Sequence, residues 1–233
     1  MTMNETKRIP DLDLRLASAV SFVREGGVVC DVGTDHAYLP IYAILSGKCP
    51  RAVASDINKG PLMRARENGE RWGVADRLTC ILSDGLDGVE PEENGITDIV
   101  ICGMGGELIA RIVDDSAYTR REGVRLILQP MSMAYELRKY LTENGFAIID
   151  EAMSRAADKV YTCICAEYNG EAETLCDTEL LLGRHNMARG GELFRELAEK
   201  EILKLEKRIG GLKLGGHDAS AEEDLLSEIK KLI

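Results

Sequence analysis

Only three histidines and seven cysteines are spread over the 233 residues, with no Cys-x-x-Cys pair among them. That scarcity argues against the common zinc frameworks, which need clustered His and Cys ligands. Cys30, Cys80, Cys102, Cys163 and Cys165 instead sit in β-branched apolar runs, where a free thiol packs as a small hydrophobe. No apolar run approaches the roughly 20 residues that a membrane-spanning helix needs. The opening stretch MTMNETKRIPDLDLRLASAV carries charges where a signal peptide needs an apolar core. The expectation is a cytoplasmic chain with no membrane and no metal partner. Positive charge is also in deficit, with 29 Lys and Arg against 40 Asp and Glu and a net charge of −11. Phosphate contacts need a cationic footprint, so a chain basic throughout is excluded as the RNA-binding device, whereas a local basic patch is not.

What the chain does have is 45% hydrophobic and 30% charged residues, an ordinary globular balance, and enough length for one substantial domain with an appendage. Strand-like runs VVCDVG, AVASDI, LTCILSD, ITDIVICGM and RLILQP alternate with helical patterns near 37–47, 59–73, 105–117 and 133–144. Near-continuous apolar strands joined by helix-length connectors predict a parallel sheet covered on both faces. After Gly145 the segments FAIIDEAMSR and KVYTCICAEY flank Ala156, Ala157 and Asp158, a pattern that predicts a closing antiparallel hairpin. The predicted fold is therefore α/β, a Rossmann-like, mostly parallel seven-stranded sheet of the class I methyltransferase type. From about Glu171 the strand signals stop. Leu193, Leu197, Ile202, Leu205, Ile209 and Leu212 then approach a coiled-coil spacing, interrupted by Gly210, Gly211, Gly215 and Gly216 before Leu225, Leu226, Ile229 and Leu232. This predicts a helical, coiled-coil-like hairpin over 171–233, standing apart from a cofactor-binding domain over 1–170, with an oligomer through these helices left open.

Ligands of open parallel sheets bind beyond the carboxyl ends of the strands, so the residues just after each run carry the functional argument. The first run leads into Asp31-Val32-Gly33-Thr34-Asp35-His36, where Gly33 allows a tight turn and close backbone approach to a ligand. The second ends at Asp56, 23 residues past Gly33, a spacing that suits an acceptor for ribose hydroxyls. After the third, Asp84 precedes Gly85 and either accepts from an adenine amine or closes a turn. After the fourth, Gly103-Met104-Gly105-Gly106 lacks the Lys and Ser/Thr of a P-loop and suits close approach to a substrate.

The combination of Asp31-x-Gly33-x-Asp35-His36, Asp56, Asp84-Gly85 and Gly103-Met104-Gly105-Gly106 resembles the bacterial tRNA adenine-22 N1-methyltransferase family. The stretches DVGTDHAYLP, GMGGELI and RLILQP are the most specific parts of the likeness. The resemblance implies S-adenosylmethionine as cofactor, S-adenosylhomocysteine as product and tRNA as partner. It places Asp31, Gly33 and Asp35 on the methionine side, Asp56 at the ribose and Asp84 at the adenine, with His36, Asn58, Gly85, Gly103 and Met104 completing the cofactor-facing set. Two departures from the wider methyltransferase pattern stand out. The usual Gly-x-Gly-x-Gly is reduced to Gly33 with Asp35 and Ala37, and the aromatic Asn/Asp-Pro-Pro-Tyr clamp is absent. Tyr38, in an apolar helix, is expected in the core rather than on a target base.

Adenine N1 is a neutral nucleophile, so the catalyst has chiefly to align it with the methyl group. The product ring is cationic, and Asp35 is the candidate catalytic carboxylate, with binding the methionine amine or capping the next helix as its other readings. Lys200, Lys204, Lys207 and Arg208 share one helix face and are the candidate phosphate row, with Lys7, Arg8 and Arg15 as additions. Residues 171–233 nevertheless carry ten basic against fourteen acidic side chains, so a salt-bridged surface competes with that reading. A methyltransferase for a small molecule or protein, and a non-catalytic nucleotide-binding scaffold, are the alternatives.

Overall fold

The structure, a computed structural model, describes residues 9–233. Its elements follow the alternation of the sequence: α1 (Leu14–Phe22), β1 (Val29–Val32), α2 (Tyr38–Leu45), β2 (Ala52–Asp56), α3 (Lys59–Arg71), β3 (Leu78–Leu82), β4 (Asp98–Gly105), α4 (Gly106–Asp115), β5 (Arg125–Ser132), α5 (Ala134–Glu143), β6 (Phe146–Ala156) and β7 (Lys159–Tyr168). The strands form one sheet in the order β3-β2-β1-β4-β5-β7-β6. β7 runs antiparallel to both β5 and β6, while β1 to β5 are mutually parallel. The chain builds outward from β1 to β3 and then crosses back to place β4 on the other side of β1. That reversal is the switch point at which such sheets bind ligands.

The central strands β1, β2, β4 and β5 are mostly apolar because both faces are covered there, whereas β6 at the edge carries Asp150, Glu151, Ser154 and Arg155. Cys30, Val32, Ile99, Ile101, Leu126 and Leu128 pack against Ile109, Val113, Leu137 and Leu141 of α4 and α5. Their neighbours Val29, Ala54, Val100 and Ile127 face Ala19, Val20, Leu39, Ile41 and Ala65 of α1, α2 and α3. Burying a Val, Leu or Ile side chain contributes about 1.5–3 kcal/mol, so these two layers dominate the stability of the sheet. α1 is the element the sequence pattern did not announce. Asp13 caps it, accepting from the Leu16 N–H at 2.8 Å, and its nine residues show too few turns for a clear apolar period.

Four helices follow β7: α6 (Asp177–Leu182), α7 (Arg184–Arg189), α8 (Glu192–Leu214) and α9 (Ser220–Lys230). α8 and α9 pair antiparallel, with Lys230 on Glu206 at 2.7 Å and Arg208 on Glu222 at 2.9 Å, so the expected helical hairpin is present. The expected break is displaced, because α8 runs through Gly210 and Gly211 and turns only at Gly215 and Gly216. A helical glycine costs about 1 kcal/mol, and burial of Leu205 and Ile209 outweighs it.

The hairpin does not stand apart. Phe194 and Ala198 of α8 pack with Leu182 of α6 and Met153 of β6. Beneath them lies a buried ion pair, Arg138 Nε donating to Glu151 Oε1 at 2.7 Å. Arg138 also donates to the Leu180 carbonyl at 2.8 Å, and Glu151 accepts from the His185 N–H at 3.2 Å. The sheet and the C-terminal helices thus share one charge network.

Candidate active site

Three motif loops lie side by side at the carboxyl edge of the sheet because backbone hydrogen bonds stitch them together. The N–H groups of Gly33 and Thr34 both donate to the Ser55 carbonyl, at 2.8 and 2.9 Å, and Ser83 N–H donates to the Asp56 carbonyl at 3.0 Å. Gly33 adopts φ +76°, and a Cβ built on it would meet the terminal methyl of Met104. Glycine is therefore required there for conformation, while the methionine end is flexible enough to move aside. On the far side of β1, the pairing of β4 with β5 slips register between Cys102 and Met104. Gly103, at φ +81°, is the bulge residue that re-aims Met104 toward Gly33.

A cleft of about 340 Å³ opens between these loops and α1, lined among others by Arg15, Asp31, Gly33, Thr34, Asp35, His36, Tyr38, Cys102 and Gly103. Asp31 is buried, and its carboxyl is pushed up to about 6, by desolvation first, with the Thr34 hydroxyl pulling down and the Asp56 charge pushing up. Among the described residues no Lys or Arg makes an ion pair with it. Burial, and then the Asp31 charge, drive the Cys102 thiol well above its ordinary range, which favours the neutral thiol.

Asp35 points outward. Arg64 of α3 donates to its Oδ1 at 2.5 Å and His36 Nε2 lies 3.3 Å from Oδ2, with the side chain 65% exposed. Helix capping is not its role. Thr34 Oγ1 accepts from the Ala37 N–H at 3.2 Å, and Ala37, at φ +55°, begins α2 without a side-chain cap. Tyr38 corrects the expectation of a core position. It is 38% exposed and stacks on the His36 ring at a centroid separation of 5.3 Å. Leu39, Ile41, Ala43 and Ile44 supply the buried face of α2, which leaves Tyr38 at the mouth of the cleft.

The other sequence candidates lie outside this cleft. Asp56 Oδ1 accepts from the Asn58 N–H at 2.7 Å, closing an Asx turn into α3, and the Asn58 side chain caps nothing. Asp84 is half-exposed and paired with Arg111 of α4 at 3.0 Å, while Gly85, at φ +58°, lies where a Cβ would press on Ile112. Met104 is half-buried against the sheet core. Asp31, Gly33, Asp35, His36 and Gly103 are thus gathered in one cleft, and Asp56, Asn58, Asp84 and Gly85 extend from it along the β2 and β3 edge.

A second cleft, of about 390 Å³, runs from Pro130–Met133, past Tyr135, Lys159 and Tyr161, to Lys200 and Lys204 on α8. Met131 joins the two clefts, since its Sδ lies 3.8 Å from Arg15 Nη1. The cationic row is partly neutralised: Lys204 pairs with Glu201 at 2.6 Å and Arg208 with Glu222 at 2.9 Å. Lys7 and Arg8 lie outside the described residues. Among the described residues no group of three His, Cys, Asp or Glu is placed to hold a metal ion, and no helix is long and apolar enough to cross a membrane.

Residues 29–233 match the family model described as tRNA (adenine(22)-N(1))-methyltransferase. The chain belongs to that family. The tRNA (adenine(22)-N(1))-methyltransferase of Bacillus subtilis is 36% identical over 165 residues, an alignment covering 71% of this chain and 67% of that protein. A Streptococcus pneumoniae crystal structure in complex with S-adenosyl-L-methionine superposes with a TM-score of 0.83 at 31% identity, covering 95% of this chain and 99% of that one. A structure of the M. capricolum family member in complex with the cofactor product S-adenosyl-homocysteine gives a TM-score of 0.74 at 26% identity, covering 94% and 96%. The mostly parallel seven-stranded sheet is thus the Rossmann-like fold of this methyltransferase family.

Proposed function

We propose that this chain transfers a methyl group from S-adenosylmethionine to N1 of adenine 22 in tRNA. The observation that carries the reading is Asp31: a buried carboxylate at the switch point, beside the tight turn at Gly33, with no cationic side chain among the described residues paired to it. An anion in such a place calls for a cationic ligand, and a cofactor carrying both an ammonium and a sulfonium supplies one. The residues present fit that group. Gly33 keeps the turn free of a Cβ, Asp56 lies one strand over for ribose hydroxyls, and Asp84, at the end of the arc, exchanges Arg111 for the adenine amine. When bound, the cofactor supplies an electrophilic methyl group.

The chain's own work is then positioning. The Gly103 bulge closes one side of the cleft, and Tyr38 with the exposed Met131 and Met133 offers flat or soft surface to an adenine turned out of its stack. Asp35, held by Arg64, faces the same mouth. Its charge stabilises the cation that forms as N1 is alkylated, and Oδ2 is the acceptor for a proton of the exocyclic amine.

RNA reaches this mouth along the second cleft. Lys159, Lys200 and Lys204 meet phosphates there, and residues 171–233 form the unit that grips the tRNA while 1–170 form the cofactor-binding unit. This continuity from a cleft carrying Lys159, Lys200 and Lys204, beside Glu136 and Glu201, to the switch point favours tRNA over a small molecule or protein as substrate. The test is to incubate the chain with labelled S-adenosylmethionine and, separately, unmodified tRNA, total protein and a metabolite extract. Label in tRNA alone supports the reading, and label confined to either other pool refutes it.

A further inference from the structure

Resting on the methyltransferase reading above, we infer that Asn68 of α3 is a positioning residue: it fixes the peptide between His36 and Ala37, and through it the His36–Tyr38 face that meets the target adenine. The need for such a partner is written in the chain. The hydrogen-bond ladder of α2 begins at the Ala37 carbonyl, which accepts from the Ile41 N–H at 3.0 Å. It cannot extend one residue back, because the donor for the His36 carbonyl would be Pro40, which has no N–H. The Asn68 side chain takes that place, its Nδ2 donating to the His36 carbonyl at 3.0 Å. At the other edge of the same peptide, the Ala37 N–H donates to Thr34 Oγ1 at 3.2 Å. One peptide plane is thus held at both edges by buried side chains, Thr34 from the loop itself and Asn68 from α3.

The grip matters because Ala37 is strained. At φ +55° it is left-handed, a conformation that is costly for a residue with a Cβ and persists where its surroundings impose it. Rotating the peptide between His36 and Ala37 would relieve that strain. It would also carry the His36 and Tyr38 rings, stacked at 5.3 Å and 16° from parallel, off one another. Asn68 stands, moreover, where packing alone would choose an apolar side chain. The buried face of α3 is Leu62, Ala65, Asn68 and Gly69, and an amide among such neighbours is destabilising unless a hydrogen bond offsets its burial. One helical turn earlier, Arg64 donates to Asp35. α3 therefore holds the loop at two points, the backbone at His36 and the carboxylate at Asp35.

The experiment compares the wild-type chain, Asn68→Ala and the double variant Asn68→Ala with Ala37→Gly, by tRNA methylation kinetics and by calorimetric titration with S-adenosylhomocysteine. Asn68→Ala should lower kcat by about tenfold or more. Its affinity for S-adenosylhomocysteine should stay within about threefold of the wild type, which also reports that the variant is folded. Glycine is unstrained in the left-handed region, so adding Ala37→Gly should restore most of the lost kcat. A side chain that merely packs α3 against its neighbours would show no such rescue. Unchanged kcat in Asn68→Ala, a loss of S-adenosylhomocysteine affinity as large as the loss of kcat, or a kcat that Ala37→Gly leaves depressed would overturn the assignment. A wild type that binds S-adenosylhomocysteine and methylates no tRNA would overturn the function proposed above and this inference with it, whereas equal turnover by wild type and Asn68→Ala overturns the inference alone.

Discussion

Met104 Cε occupies the space that a Cβ on Gly33 would need. The turn after β1 and the bulge at the end of β4 therefore touch through one flexible methionine end, which a larger residue at position 33 would push aside. Gly33→Ala should damage cofactor binding through two effects, the strain of φ +76° and the collision with Met104. Met104→Ala removes only the second. The Gly33→Ala loss in cofactor affinity should therefore be smaller by about 0.5–1.5 kcal/mol, the cost of displacing a side chain from its rotamer, in a Met104→Ala background. Calorimetric additivity of the two substitutions would show that the loops do not communicate through this contact.

Asp31 sets a pH dependence with a definite sign. Its folded carboxyl is raised from 3.8 to about 6, so between these values the folded chain binds more protons than the unfolded chain, and stability falls as pH rises through that window. Asp31→Asn should therefore raise Tm at pH 7.5, by the equivalent of about 1–3 kcal/mol, with the gain vanishing near pH 4. The same change should abolish cofactor binding, and wild-type affinity should decline below pH 6. Thermal melts showing a destabilised Asp31→Asn at pH 7.5 would contradict this.

Asp35 separates two roles by kinetics. If its charge acts in the transition state, Asp35→Asn lowers kcat far more than it raises the cofactor KM. A KM that climbs while turnover stays within a few-fold would make Asp35 a binding residue.

The Arg138–Glu151 pair ties the C-terminal helices to β6. Glu151→Leu strands a buried guanidinium and should cost about 3–5 kcal/mol, read by denaturant unfolding. Replacing both partners by apolar residues should cost far less. Truncation near Gly170 removes the Leu180 carbonyl and the His185 N–H from the same network. The shortened chain should therefore unfold at lower denaturant as well as lose tRNA methylation.

Much of the fold was legible because burial on both faces writes itself as unbroken apolar runs. The strand ends then marked Asp31, Gly33, Asp56, Asp84 and Gly103 by position alone. Less legible was anything decided by long-range packing. Arg15 enters the cleft because Gln129, 114 positions along the chain, fixes its guanidinium, and no local pattern encodes that. The exposure of Tyr38 is not legible in the sequence because an apolar helix of eight residues gives too few turns to say which side faces out. The glycines of α8 suggested a break that packing of Leu205 and Ile209 suppresses.

Methyl transfer to N1 of a single tRNA adenine places the group on the Watson–Crick edge. Methylation there blocks pairing, so reverse transcription of the treated tRNA should arrest next to position 22. The arrest should require S-adenosylmethionine and vanish in a transcript carrying guanine at that position. A full-length product from treated tRNA, or an arrest that persists after the A22-to-G change, would contradict the account.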